Sequence, residues 1–250
     1  MQFMPKTNYA VNVNINYKTN QINDVYHTNF LGLTLDSTLS WRPHIDQLNS
    51  KLNSACYVIR SLKSIISLEN LRMIYFSSVH SIISYGIIFW GNSTYSNTIF
   101  KLQKRVIIMI NAGNRESCHE LFKKLNVLPL HPQYKLSLLL SVVKNINTFK
   151  SNSVVHSVNT RHCSDLYLPS TRLSRVQKGV YHTGTKVFNC LPPRIKSLSS
   201  DMKFKSALKR FLLEGSFYTI QEYFDWNLLS NPSIVNLPII NDCCYCSSNN

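Results

Sequence analysis

Carboxylates are scarce in this chain relative to its cations. Twelve Asp and Glu stand against 27 Lys and Arg, a net charge of +15 over 250 residues. Asp24, Asp36, Asp46, Asp165, Asp201, Asp225 and Asp242 are scattered, with no two close in sequence. Metal-assisted phosphoryl chemistry holds divalent ions between clustered carboxylates, so the sequence offers it no catalytic residue and no metal ligand set. Glu116 and Glu120 share a helix face, but acidic residues are expected at a helix N-terminus for the dipole alone. Glycine is sparse as well: the seven Gly are dispersed, which leaves no phosphate-cradling loop and no strand-to-helix nucleophile elbow.

The seven Cys are an odd number and sit far apart until the end of the chain. That excludes a disulfide framework and predicts reduced thiols in an intracellular protein, of nucleus or cytoplasm. Cys118-His119 and His162-Cys163 lack zinc-ligand spacing, and Cys243-Cys244-x-Cys246 has no second half. Met1 to Tyr9 has no apolar core, so no secretory leader is read. Met73 to Trp90 is free of Lys, Arg, Asp and Glu, yet it carries Ser77, Ser78, His80, Ser81, Ser84 and Gly86. A helix buried within a bundle is expected there, and no membrane partner.

What is present is enough apolar material for a core: 44% hydrophobic residues and 11% aromatic. The positive charge is spread through apolar helices rather than gathered in a tail, which predicts a folded basic domain and a polyanionic partner, most simply nucleic acid. Arg42, Lys51, Arg60 and Lys63 fall along one predicted helix. Arg42 and Arg60 lie eighteen residues apart, five full turns, and so point the same way. Between them run Asn49, Ser50, Asn53 and Ser54. Uncharged hydrogen-bonding groups flanked by arginine suit a sugar–phosphate backbone. Lys101, Lys104 and Arg105, then Lys123 and Lys124, then Lys203, Lys205, Lys209 and Arg210 repeat the theme. Nothing in the pattern reads bases.

The expected fold is mainly α with a small N-terminal antiparallel β-sheet. Val11, Val13, Ile15 and Tyr17 alternate with Asn, as a half-buried strand does. Lys18 to Gln21 reads as a turn and Ile22 to Val25 as the return. Leu31, Leu33 and Leu35 alternate with Gly32, Thr34 and Asp36, which predicts a further strand running on from Phe30. The period then changes. Trp41, Ile45, Leu48, Leu52, Ala55, Ile59, Leu62 and Ile66 step by four and three, one stripe of a long helix, with Ser40 as its cap and Pro43 in its first turn. Further helices are expected from Leu68 to about Trp90 with Ser67 as cap, and over Tyr95 to Ile110. Three more follow: from Ser117 to near Leu125, over Gln133 to Phe149, and over Lys203 to Leu213. Thr219-x-x-Glu222 would cap a last turn. Composition divides the chain into 1–39, a sheet remnant; 40–150, a helical bundle; 160–226, a smaller mixed unit; and 227–250, a loose tail.

Several stretches together resemble the C-terminal region of reverse transcriptases of non-LTR retrotransposons, the jockey-like insect group especially. They are F-L-G-L-x-L-D-x-x-L-S-W-x-x-H-I (Phe30 to Ile45), L-N-S-A-C-Y-V-I-R (Leu52 to Arg60), L-R-M-I-Y-F-S (Leu71 to Ser77) and S-Y-G-I-I-F-W-G-N-S (Ser84 to Ser93). L-Q-K-R (Leu102 to Arg105), T-R-H (Thr160 to His162), Q-K-G-V-Y (Gln177 to Tyr181) and F-N-C-L-P (Phe188 to Pro192) extend the likeness. The resemblance implies a primer-grip strand followed by a thumb that holds primer and template. Phe30, Leu31 and Gly32 would position the primer, with Gly32 admitting a close backbone approach, and Trp41, Arg42 and His44 would stand at the root of the thumb. The family's F-x-D-D motif and its fingers and palm are absent from these residues, and Met1-Gln2-Phe3-Met4 already reads as the end of a strand. A truncated, catalytically incomplete product is therefore expected, with no cofactor of its own; Mg²⁺ belongs to an intact parent enzyme. The alternative is a stand-alone basic RNA- or DNA-binding module.

Overall fold

A computed structural model describes residues 1–3, 15–18, 20–111, 116–157, 162–199, 201, 203–215, 217–219 and 222–224. Two hairpins open the chain: β1 (Ile15–Tyr17) with β2 (Asn20–Ile22), and β3 (His27–Phe30) with β4 (Leu33–Asp36), each antiparallel. In the first, the return strand begins two residues earlier than the alternation predicts, and the expected strand residues 11–14 lie outside the described residues. In the second, the predicted continuous strand from Phe30 is divided. Leu31 and Gly32 both take positive φ, 47° and 74°, and form the two-residue turn that pairs Phe30 with Leu33. Two positive φ values give the backbone twist a tight hairpin needs.

β4 leads through a loop into α1 (Arg42–Leu62). The eight-residue apolar stripe faces inward as its spacing demands: Ile45, Leu48, Leu52, Ala55 and Ile59 are buried, while Trp41, Leu62 and Ile66 pack at the edge. Each buried Leu or Ile contributes roughly 1.5–3 kcal/mol. The start of α1 differs from the expected Ser40 cap. Trp41 occupies the cap position in the left-handed region, φ 67°, with no side-chain cap, and Ser40 Oγ accepts only from the Arg42 amide at 3.3 Å. Asp36 organises the loop instead. Its carboxylate accepts from the Ser40 and Trp41 amides at 3.0 and 2.9 Å and from the Thr38 hydroxyl. Burial pushes the Asp36 carboxyl up, but these hydrogen bonds outweigh it and hold the group below its ordinary pKa.

The stretch from Leu68 to Trp90 is not one regular helix. It runs as α2 (Leu68–Ile74), a π-helical turn over Tyr75–His80, α3 (Ser81–Ser84), a break at Tyr85-Gly86, and α4 (Ile87–Trp90). Ser67 caps it as expected, accepting from the Asn70 amide. The buried residues Leu71, Tyr75, Val79, Ile83 and Ile87 explain the irregularity. They recur every four residues, and at 100° per residue four such steps drift about 160° around a straight α-helix. A π turn, with its wider i→i+5 closure, and a break return them to one side. Among the described residues, no helix is long and apolar enough to cross a membrane.

α5 (Ser96–Ile110) packs along α1, and its buried Gln103 donates to the Tyr75 hydroxyl at 2.9 Å and to the Leu128 carbonyl at 3.0 Å. α6 (Cys118–Lys124) begins on the expected Ser117 cap. α7 (Leu130–Lys144) starts before the predicted Gln133, because Pro132 sits in its first turn where a missing amide hydrogen costs nothing. α7 is buried over most of its length, its polar Gln133 and Lys135 included. After α8 (Asn152–His156), residues 150–153 bond to 163–167 through one isolated bridge and neighbouring backbone bonds. α9 (Ser174–Gln177), α10 (Val180–Asn189), α11 (Pro193–Lys196) and α12 (Phe204–Gly215) follow, with α10 and α12 both against α7. The architecture is thus mainly helical with small antiparallel hairpins at the N-terminal end. The predicted tail, 227–250, lies outside the described residues.

Candidate nucleic-acid interface

The two longest motifs, far apart in sequence, meet in space. The β3–β4 turn touches the break between α3 and α4: the Tyr85 hydroxyl donates to the Leu31 carbonyl. A Cβ on Gly32 would lie 3.2 Å from the Tyr85 oxygen, and one on Gly86 would lie 2.6 Å from a Leu33 methyl. Beyond this clasp the rings interleave. Trp41 stacks on Phe89 at 6.4 Å, meets His44 edge-on at 6.2 Å, and His44 lies 6.2 Å from Trp90. Trp90 Nε1 donates to the Tyr85 carbonyl at 3.1 Å, which holds the broken turn in place.

The clasp leaves Phe30 and Leu31 outside, 61% and 75% exposed, at the tip of a short hairpin. Beside the tip is a groove of about 280 Å³, walled by Gly32, His44, Gln47, Lys51, Ser81 and Tyr85. Among the described residues, no acidic side chain lines it. His44 is only 3% exposed and forms the groove's inner wall rather than a free surface ligand. Its Nδ1 accepts from the Thr34 amide at 3.4 Å, and its Nε2 has no partner among the described residues. Burial, with help from the nearby Lys51 charge, depresses the His44 pKa, so the ring is neutral at pH 7.

Compared with protein-family models, with curated proteins and with solved structures, the chain matches none. Geometry and charge carry what can be said of the site.

The basic residues divide by position. Arg42, Lys51 and Arg60 are exposed on α1, and Lys101 and Arg105 on α5; Lys63, just past the end of α1, is half-buried. None of these six is ion-paired to a carboxylate among the described residues. Arg60 and Arg105 converge: burial raises the Cys56 thiol, and Arg105 and Arg60 partly offset that rise. Arg42 leans over the Tyr95 ring, 5.8 Å from its centroid. Lys104 departs from the set. It folds over Phe100 and Tyr218, at 4.6 and 5.5 Å, and is partly buried on the side facing α6. The expected Asn/Ser strip of α1 is present, with Ser50, Asn53 and Ser54 exposed and Asn49 half-buried.

Sequence reading missed Gln47, Ser81 and Tyr85 as groove residues, and the pairing of Gly86 with Leu33. The glycine standing inside an otherwise apolar run was the available signal. Among the described residues, no three His, Cys, Asp or Glu side chains gather closely enough to hold a metal ion, and Cys56, Cys118, Cys163 and Cys190 are free thiols.

Proposed function

We propose that these residues form a sequence-tolerant grip on a primer–template duplex, corresponding to the primer-grip hairpin, thumb and downstream region of a non-LTR retrotransposon reverse transcriptase. The observation that carries this reading is the clasp. It fixes an exposed Phe30-Leu31-Gly32 tip beside a carboxylate-free groove, next to helices whose cations have no acidic partner among the described residues. Phosphates would engage the Lys51 ammonium and the forked guanidinium groups of Arg60 and Arg105, with Arg42, Lys63 and Lys101 extending the path, while the tip lies against the strand end. His44, neutral and buried, acts by holding α1 against β4. This stretch would grip without polymerising, in an intracellular setting where nucleic acid is available.

Binding of a fluorescent DNA primer on an RNA template, titrated from low to high salt, tests the proposal. The logarithm of affinity should fall linearly with the logarithm of salt. The triple variant Lys51→Ala, Arg60→Ala, Arg105→Ala should lower the slope by about 3 and weaken binding more than tenfold at about 0.1 M salt. Changing the duplex sequence should matter little, and nucleotides with Mg²⁺ should give no primer extension. Salt-independent binding, or a triple variant that binds as well as the parent, would sink the reading.

A further inference from the structure

A second recess lies away from the groove just described. It is a cleft of about 380 Å³ between the loop entering α1, the segment after α4, and the α9–α10 connection. That volume is in the range of sites that take a small organic moiety, about 300–1,000 Å³. Its walls are of three kinds. Trp41, Phe89 and Tyr95 supply aromatic faces, with Phe89 53% and Tyr95 38% exposed. Arg175 and Lys178 supply positive charge, and among the described residues no Asp or Glu lines the cleft. The 92–94 loop and Ser40 supply uncharged hydrogen-bonding groups. Gly179, also in the wall, is the N-cap of α10 and has no side chain with which to cap it. The first-turn amides of a ten-residue helix therefore begin at the same wall as the two cations.

We infer that this cleft takes one unpaired nucleotide of a single-stranded nucleic acid, its base against Phe89 and Trp41 and its phosphate between Lys178, Arg175 and the start of α10. Aromatic faces accept any base, because every base has a π-face, and the flanking cations follow the backbone. A base within a duplex is covered on both sides and cannot enter a recess, so the cleft selects the unpaired strand. The inference rests on the proposed nucleic-acid grip and extends it: the duplex lies along α1 and α5, and the single strand continuing from it reaches the α9–α10 connection.

The full chain is titrated with three fluorescent probes: a ten-nucleotide oligo(dT), a ten-nucleotide oligo(rU) and a blunt duplex. The Phe89→Ala variant should weaken at least one single-stranded probe about tenfold, and leave the blunt duplex within twofold. Lys178→Ala should weaken the same single strand and reduce its salt slope by about 1. Lys144→Ala, an exposed charge on α7, should do neither. The two oligonucleotides distinguish DNA from RNA as the occupant. Thermal melts of Phe89→Ala guard against a folding defect, and Lys178→Ala, on an exposed side chain, gives an independent reading. If the parent binds the duplex but Phe89→Ala and Lys178→Ala leave both single strands unchanged, the cleft inference is overturned and the grip survives. If the parent binds no probe, both fall.

Discussion

A leucine in the left-handed region is an uneasy residue, and Leu31 is also 75% exposed. A two-residue turn with both φ positive prefers Asn-Gly; here Leu precedes Gly32. Such strain costs on the order of 1–3 kcal/mol and persists where function requires it. Leu31→Asn should therefore stabilise the chain by about 1 kcal/mol, and weaken duplex binding severalfold, since an apolar contact at the tip is lost. Thermal melts and anisotropy titrations read the two effects. A variant that gains stability and keeps full affinity would show that the exposed side chain touches no nucleic acid. Asp36 is the opposite case. Its short side chain satisfies three donors at the entry to α1. Sequence pointed to Ser40 as the cap, but that residue is one position too early once Trp41 takes the cap geometry.

At the scale of elements, α1 was legible and the stretch before Gly91 was not. The α1 stripe steps by four and three, which tracks the 3.6-residue turn, so its buried face could be named residue by residue. From Leu71 onward the buried residues step only by four, which one continuous helix cannot keep on a single side. The drift it implies was the missed signal for a π turn and a break. The break matters, because Tyr85, whose hydroxyl reaches the hairpin, stands in it. The clasp itself was illegible: nothing local tells which of several glycine-containing turns will meet. Gly86 has φ 60° and no room for a Cβ, which would fall 2.6 Å from Leu33. Gly86→Ala should cost about 1–3 kcal/mol from the backbone conformation, together with repacking of the buried Leu33. Urea unfolding measures the stability loss. Duplex affinity should fall with it at temperatures where the variant remains folded, because the tip is no longer held. If Gly86→Ala is neutral in both, the hairpin is not positioned by this contact.

At the scale of the whole molecule, α7 is the centre on which α10 and α12 both pack, and it contains the least expected buried residue. Lys135 has no exposed surface. Its ammonium donates to the Thr219 carbonyl at 2.9 Å and lies 4.9 and 4.7 Å from the centroids of Phe217 and Tyr223. These contacts tie the 217–224 segment to α7. In sequence Lys135 looks no different from Lys144 of the same helix, which is exposed, and that is why sequence did not reveal its burial. Burial drives its pKa down to about 7, against a small upward pull from Glu222. Because the folded value lies below the ordinary 10.5 of an unfolded lysine, the unfolded chain binds the extra proton between pH 7 and 10.5, and stability rises with pH across that window. Below pH 7 the group is charged in both states and its burial cost is constant. Lys135→Met removes the charge while keeping much of the volume, so it should stabilise the chain by about 1–4 kcal/mol at pH 6–7. That advantage should shrink steadily toward pH 10, where the parent's amine is neutral when folded. Urea unfolding of both proteins at several pH values gives the difference directly. A gap that does not change with pH would mean that Lys135 keeps its proton in the folded state, stabilised by the two rings and the Thr219 carbonyl more than burial destabilises it.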